Sequence, residues 1–297
     1  MRVHGPILVP LDGSDLAEKA LPYAVALAKA QGSASVTLLT VWEGTESELG
    51  ATFPAMAMEI EAKAREHFGS YLQTLRARLA ATAPVETLVC EGDANEEIDR
   101  VADEIGSRAL VVATHGRSGI GRWLYGSTAS RLLRHSSLPV LAVGPHALER
   151  GKADVSFTHI MVPLDGTPLS EAALPEATAL AASLGARLSL VRVVRWAVQS
   201  YPYTLPEAYV PQVDEELEAG AKAYLRQKEA EVKGVDVSAF VVRGAIADGL
   251  LDFIEKEAVD LVVMTTHARG GLTRAALGSV ADRVLQGRAP VLLIRPE

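Results

Sequence analysis

The strongest restriction on this chain is that it is written twice. An apolar run, Ala109 to Ala113, leads into Thr114-His115-Gly116-Arg117-Ser118-Gly119-Ile120-Gly121 and then Gly126-Ser127-Thr128. Near the C-terminus, Leu261-Val262-Val263-Met264-Thr265 leads into Thr266-His267-Ala268-Arg269-Gly270-Gly271 and then Gly278-Ser279-Val280. His115 to His267 is 267 − 115 = 152 residues, and Gly126 to Gly278 is 278 − 126 = 152 as well. Each copy ends in an amphipathic helix and a strand entered through proline, Leu138-Pro139-Val140 and Ala289-Pro290-Val291. A repeat of that length is a domain, so the 297 residues resolve into two domains, 1–145 and 156–297. Pro145 to Val155, short and aperiodic, reads as the linker.

Within each copy, short apolar runs alternate with amphipathic stretches. In the first, strands are predicted at Pro6–Leu11, Val36–Trp42, Val85–Cys90, Ala109–Ala113 and Leu138–Val143. Helices fall at Ser14–Gln31, from about Pro54 to Thr82, at Asn95–Ile105 with Asp93 or Asn95 as cap, and at Ser127–His135. The second copy repeats the order from His159 to Ile294, with one helix expected over Leu169–Leu184. The expected fold class is α/β, two repeated doubly wound domains, each a five-stranded parallel sheet with flanking helices.

The first strand of each copy ends alike, in Val9-Pro10-Leu11-Asp12-Gly13-Ser14 and Val162-Pro163-Leu164-Asp165-Gly166-Thr167. Open α/β sheets bind ligands beyond the carboxyl ends of strands where the strand order reverses. If strands one and four flank that reversal, Asp12 and the glycine-rich loop share one crevice. A carboxylate there accepts from ribose hydroxyls or an amino group. Backbone amides freed by glycine, together with Gly126-Ser127-Thr128 at a helix start, take an anion. The competing reading is that Asp12 only caps the following helix.

At these residues the chain resembles the universal stress protein family in its tandem form, with an adenine nucleotide alpha hydrolase-like fold. The family's motif is Gly, two residues, Gly, nine residues, Gly-Ser/Thr. The first copy carries it as Ala113-Thr114-His115-Gly116, nine residues, Gly126-Ser127. The second reads Thr265-Thr266-His267-Ala268, nine residues, Gly278-Ser279, without either early glycine. The resemblance implies an ATP-binding stress-response regulatory protein. Pro10, Leu11, Asp12 and Val41 would line the adenine and ribose pocket, and Ala113, Gly116, Gly126, Ser127 and Thr128 would hold phosphates, with Arg117 as a further ligand. The second copy offers Pro163, Leu164, Asp165, Val193, Thr265, Ala268, Gly278, Ser279 and Val280. The N-terminal site is expected to be the tighter. Mg²⁺ is the natural companion of ATP, although no ligand set for it can be named.

Other chemistries find less support. No Gly-x-x-x-x-Gly-Lys-Ser/Thr, no Gly-x-Ser-x-Gly elbow and no His/Cys metal cluster occurs in the sequence. His115 and His267 have no motif partner and are read as orienting their loops. A slow ATPase and an interaction module with vestigial pockets stand as alternatives. Trp42 and Trp196 follow second strands and are read as rim packing rather than base contacts. Cys90 cannot pair and is expected to be a small core residue in a reducing compartment. The formal charge of −8 argues against nucleic acid and anionic membranes as partners. No apolar run nears the roughly 20 residues that span a bilayer, and no leader pattern opens the chain, so a cytoplasmic protein is expected. Family members pair such domains through their last strands. The resemblance therefore implies an intramolecular pseudo-dimer, with a homo-oligomer or an unidentified protein partner beyond it. The loops 43–54 and 195–211 are the expected lids.

Overall fold

A computed structural model of the chain describes residues 5–32, 34–44, 53–114, 126–149, 155–196, 210–265 and 277–296. The chain divides into two compact units, one built on Met1–Val143 and the other on Ser156–Glu297. The first runs β1 (Ile7–Pro10), α1 (Asp15–Glu18), α2 (Leu21–Ala30), β2 (Val36–Trp42), α3 (Pro54–Leu79), β3 (Val85–Glu91), α4 (Ala94–Glu104), β4 (Ala109–Ala113), α5 (Ser127–His135) and β5 (Val140–Val143). After α6 (Pro145–Glu149), the second runs β6 (His159–Pro163), α7 (Pro168–Glu171), α8 (Leu174–Leu184), β7 (Arg187–Val194), α9 (Val210–Glu231), β8 (Val237–Arg243), α10 (Ile246–Lys256), β9 (Leu261–Thr265), α11 (Ser279–Val284) and β10 (Val291–Ile294).

In the first unit the strands lie in the order β3-β2-β1-β4-β5, and in the second β8-β7-β6-β9-β10, with parallel pairing between the neighbours within each unit. The strand order therefore reverses between β1 and β4, where Ile7 faces Ala109, and between β6 and β9, where Ile160 faces Leu261. Helices cover both faces of such a sheet, which is why the central strands are unbroken apolar runs. Ile7, Leu8, Val9, Ala109 and Val111 are fully buried in one unit, as are Ile160, Met161, Val162 and Val263 in the other.

Three expectations change, two of them in the course of the chain. The single helix expected after each first strand is broken: α1 stops at Glu18 and α2 begins at Leu21, and α7 stops at Glu171 and α8 begins at Leu174. Pro22 and Pro175 are the cause. Each sits in the first turn of the second helix, where its missing N–H costs nothing, whereas in a helix interior it would clash with the carbonyl four residues back. The linker is also shorter than expected. Pro145–Glu149 is helical and buries Ala147 and Leu148, apolar residues hidden in a polar-looking stretch.

The cap of α4 is Asp93, whose Oδ1 accepts from the N–H groups of Asn95 (2.9 Å) and Glu96 (3.1 Å). Asp93→Ala should therefore cost about 1 kcal/mol, read as a lowered denaturation midpoint. Cys90 departs from the core role expected for it. It is half-buried, with Arg100 Nη2 3.7 Å from its sulfur. Burial, and then Glu97, push its thiol above the usual range.

His159 opens β6 with its ring buried. Its Nδ1 lies 2.9 Å from the carbonyl of Glu257, which can only accept, so Nδ1 carries the proton and Nε2 accepts from the Ser189 hydroxyl at 2.7 Å. Burial holds this imidazole below its ordinary value, with Arg187 adding to the effect; the Glu257 carbonyl and Asp260 oppose it. The unfolded chain thus binds a proton that the folded chain refuses. Stability from this group is complete above the unfolded value of about 6.5 and is lost as pH falls below it. Denaturant midpoints should fall between pH 7 and pH 5.5, and fall less steeply in His159→Asn.

Candidate functional site

At the reversal between β1 and β4, the first unit has a crevice enclosing about 200 Å³. Its floor is Pro10 and Leu11 leaving β1, with Leu39 and Val41 from β2 and Val112 and Ala113 from β4. One wall is the loop Asp12 to Ser14 with the start of α1, and the opposite wall is the N-terminal ends of α4 and α5. The second unit repeats this at the reversal between β6 and β9, enclosing about 290 Å³ among Pro163, Leu164, Asp165, Val191, Val193 and Thr265.

The turn that presents the carboxylate is built by local sequence. Gly13 and Gly166 have φ of +81° and +91°, a left-handed conformation that glycine adopts without a Cβ penalty. Asp12 Oδ1 accepts from the N–H of Ser14 at 2.9 Å, and Ser14 in turn caps α1, its Oγ accepting from Ala17 N–H at 3.2 Å. Capping thus belongs to Ser14, and the capping role once open for Asp12 reduces to holding the turn. In the second unit Asp165 Oδ1 accepts from both the N–H (2.9 Å) and the hydroxyl (2.6 Å) of Thr167. Burial works against the Asp165 charge, but the Thr167 and Ser170 hydrogen bonds outweigh it and hold the carboxyl below the usual range. It is an ionised acceptor at neutral pH.

At the other wall, Gly126 and Gly278 precede α5 and α11 without a side-chain cap, so the first amide groups of each helix are not consumed by a capping side chain. The two glycines differ. Gly126 has φ of −52°, open to any residue, whereas Gly278 has φ of +83°. Gly278→Ala should therefore cost about 1–2 kcal/mol of stability through backbone strain, and Gly126→Ala should incur no such strain. Comparing the two variants in chemical denaturation checks this.

The residues singled out from sequence come together as follows. Pro10, Leu11, Asp12, Val41 and Ala113 line the first crevice with Gly126, Ser127 and Thr128. Pro163, Leu164, Asp165, Val193 and Thr265 line the second with Gly278, Ser279 and Val280. Gly116, Arg117 and Ala268 lie outside the described residues, as do His115, His267 and most of the two expected lids. Trp42 is buried and does not line the crevice; Trp196 is 43% exposed, under the guanidinium of Arg243 at 5.1 Å. Sequence reasoning missed Leu39, Ala94, Ile98 and Leu132, which complete the apolar walls. Their signal was periodicity: Leu39 stands two residues before Val41 on one strand face, and Ala94 and Ile98 share a helix face.

The fold and these crevices define a class: a tandem, doubly wound α/β protein with a ligand-sized cleft at each switch point. A sequence profile of the universal stress protein family matches residues 4–144 and again 156–295. The chain belongs to the universal stress protein family. It is 30% identical over 257 residues to universal stress protein Rv2005c of Mycobacterium tuberculosis, covering 86% of this chain and 79% of that one. Universal stress protein YxiE of Bacillus subtilis is 31% identical over 147 residues, which is 47% of this chain and 99% of the relative. A crystal structure of a universal stress protein from Archaeoglobus fulgidus shares the fold with a TM-score of 0.69 at 19% identity, covering 98% of each chain. Among the described residues no helix is long and apolar enough to cross a membrane.

Proposed function

We propose that the chain is a nucleotide-binding regulatory protein of the stress response that holds ATP in the first crevice and a weaker ligand in the second. One observation carries the reading: Asp12, the uncapped start of α5 and the apolar strand ends Val41 and Val112 border a single cleft at the β1–β4 reversal. That combination matches the three parts of an adenine nucleotide. A flat base seats against Val41, Ile98 and Leu39. Ribose hydroxyls donate to the Asp12 carboxylate. Phosphate oxygens accept from the amides and hydroxyls of Ser127 and Thr128, where the helix dipole favours negative charge.

Neither crevice is lined by lysine or arginine among the described residues, so the phosphates rely on amides and hydroxyls there. The described residues contain no group of three His, Cys, Asp or Glu suited to a metal ion. Mg²⁺ arriving with ATP would be held chiefly by phosphate and water oxygens, as is common for this ion. No described side chain stands out as a base for hydrolysis, and occupancy rather than turnover is the proposed signal. Calorimetric titration of the intact chain with ATP tests this. One tight binding event per chain is expected, with a weaker second; an absence of binding at millimolar ATP would overturn it.

A further inference from the structure

The two crevices are not duplicates. Where the first has Ala94, Val112 and Thr128, the second has Ile246, Met264 and Val280 at the same places in its helices and strand. One hydroxyl at the phosphate end has become a methyl group, and two apolar wall positions have become larger. Ser279 keeps the hydroxyl that Ser127 supplies in the first crevice, whereas two other hydroxyls of the lining are engaged internally. Thr265 Oγ1 donates to the carbonyl of Leu169 at 2.8 Å, and Ser170 Oγ donates to that of Thr167 at 2.9 Å. Behind the phosphate end, α11 has six residues against nine in α5, so fewer peptide dipoles align toward an anion. Meanwhile the ribose end is intact, with an ionised Asp165 held by the same kind of turn as Asp12.

From these differences we infer that the second crevice selects an uncharged purine nucleoside over its phosphorylated forms. The ring is buried against Val193, Ile246 and Leu250, and the sugar hydroxyls donate to Asp165. Among the described residues, a triphosphate placed there would surrender its hydration for one hydroxyl fewer and a shorter helix than the first crevice offers. This rests on the reading of the first crevice as a nucleotide site, because it transfers the roles of Asp12 and Val41 to Asp165 and Val193. The chain would then respond to two members of one chemical series, a nucleoside and its triphosphate, through separate pockets.

The test uses the intact chain with adenosine and ATP as probes, in an Asp12→Ala background that weakens the first crevice. Calorimetry should show adenosine binding at least about tenfold tighter than ATP. Adding Asp165→Ala, or Val193→Trp to fill the cleft from β7 without touching the Asp165 turn, should remove the adenosine signal. Combining Ile246→Ala with Val280→Thr should move the adenosine-to-ATP ratio toward ATP by about threefold or more. ATP binding equal to or tighter than adenosine in the Asp12→Ala background would overturn the inference, as would adenosine binding that survives Val193→Trp. If wild type binds ATP but the background variant binds no adenosine, the inference alone falls. If wild type binds neither probe, the parent reading falls with it.

Discussion

Asp12→Ala should weaken ATP binding to the first unit by about 10- to 100-fold. A hydrogen bond to a charged partner contributes about 1.5–3 kcal/mol, and each 1.4 kcal/mol is a factor of ten. The carboxylate has two effects to lose. Its Oδ1 accepts the Ser14 N–H and so holds the turn that begins α1, and in the proposed site the carboxylate as a whole would present negative charge to the sugar hydroxyls. Asp12→Asn separates them, since an amide oxygen can keep the Ser14 contact while the charge is gone. The asparagine variant should therefore fall between wild type and alanine in affinity, with stability close to wild type. Equal affinity in all three proteins, measured by calorimetry, would remove Asp12 from the site.

The second large effect concerns the core. Phe157 enters β6 with 1% of its surface exposed and is among the largest fully buried side chains of the described residues. Phe157→Ala would leave a ring-sized void in a close-packed interior and should cost about 3–5 kcal/mol. Because the chain holds two compact units, the loss should appear as an earlier unfolding transition of the second unit, with that of the first little moved. Differential scanning calorimetry would show this as a separation of two peaks. A uniform downward shift of both would mean that the units unfold as one.

Much of this architecture could be read from the chain alone, for physical reasons that also mark where the reading stopped. Strands such as Val36–Trp42 and Ala109–Ala113 were placed to the residue because parallel strands buried on both faces leave unbroken apolar runs between polar turns. The break between α1 and α2 was missed although Pro22 was in plain view. Apolar periodicity continues across the break, and only the missing N–H of proline shows that the helix must restart. The helix at Pro145–Glu149 was missed because five residues are too few to display a period. For the crevice, the Asp-Gly-Ser/Thr turns and the Gly-Ser starts of α5 and α11 were legible as motifs, since each needs a particular residue type. Ala94, Ile98 and Leu132 were not, because an apolar wall needs only shape and many side chains supply it. The inequality of the crevices shows only when Thr128 is set beside Val280 and Ala94 beside Ile246, a comparison that pairing of equivalent strands makes possible.

The most direct measurement is a crystal structure of the intact chain grown with ATP. The base should lie against Val41 and Ile98, a ribose hydroxyl should come within hydrogen-bond distance of the Asp12 carboxylate, and phosphate density should sit at the N–H groups opening α5. Nucleotide density elsewhere on the molecule, with water alone between Asp12 and Ser127, would contradict the account.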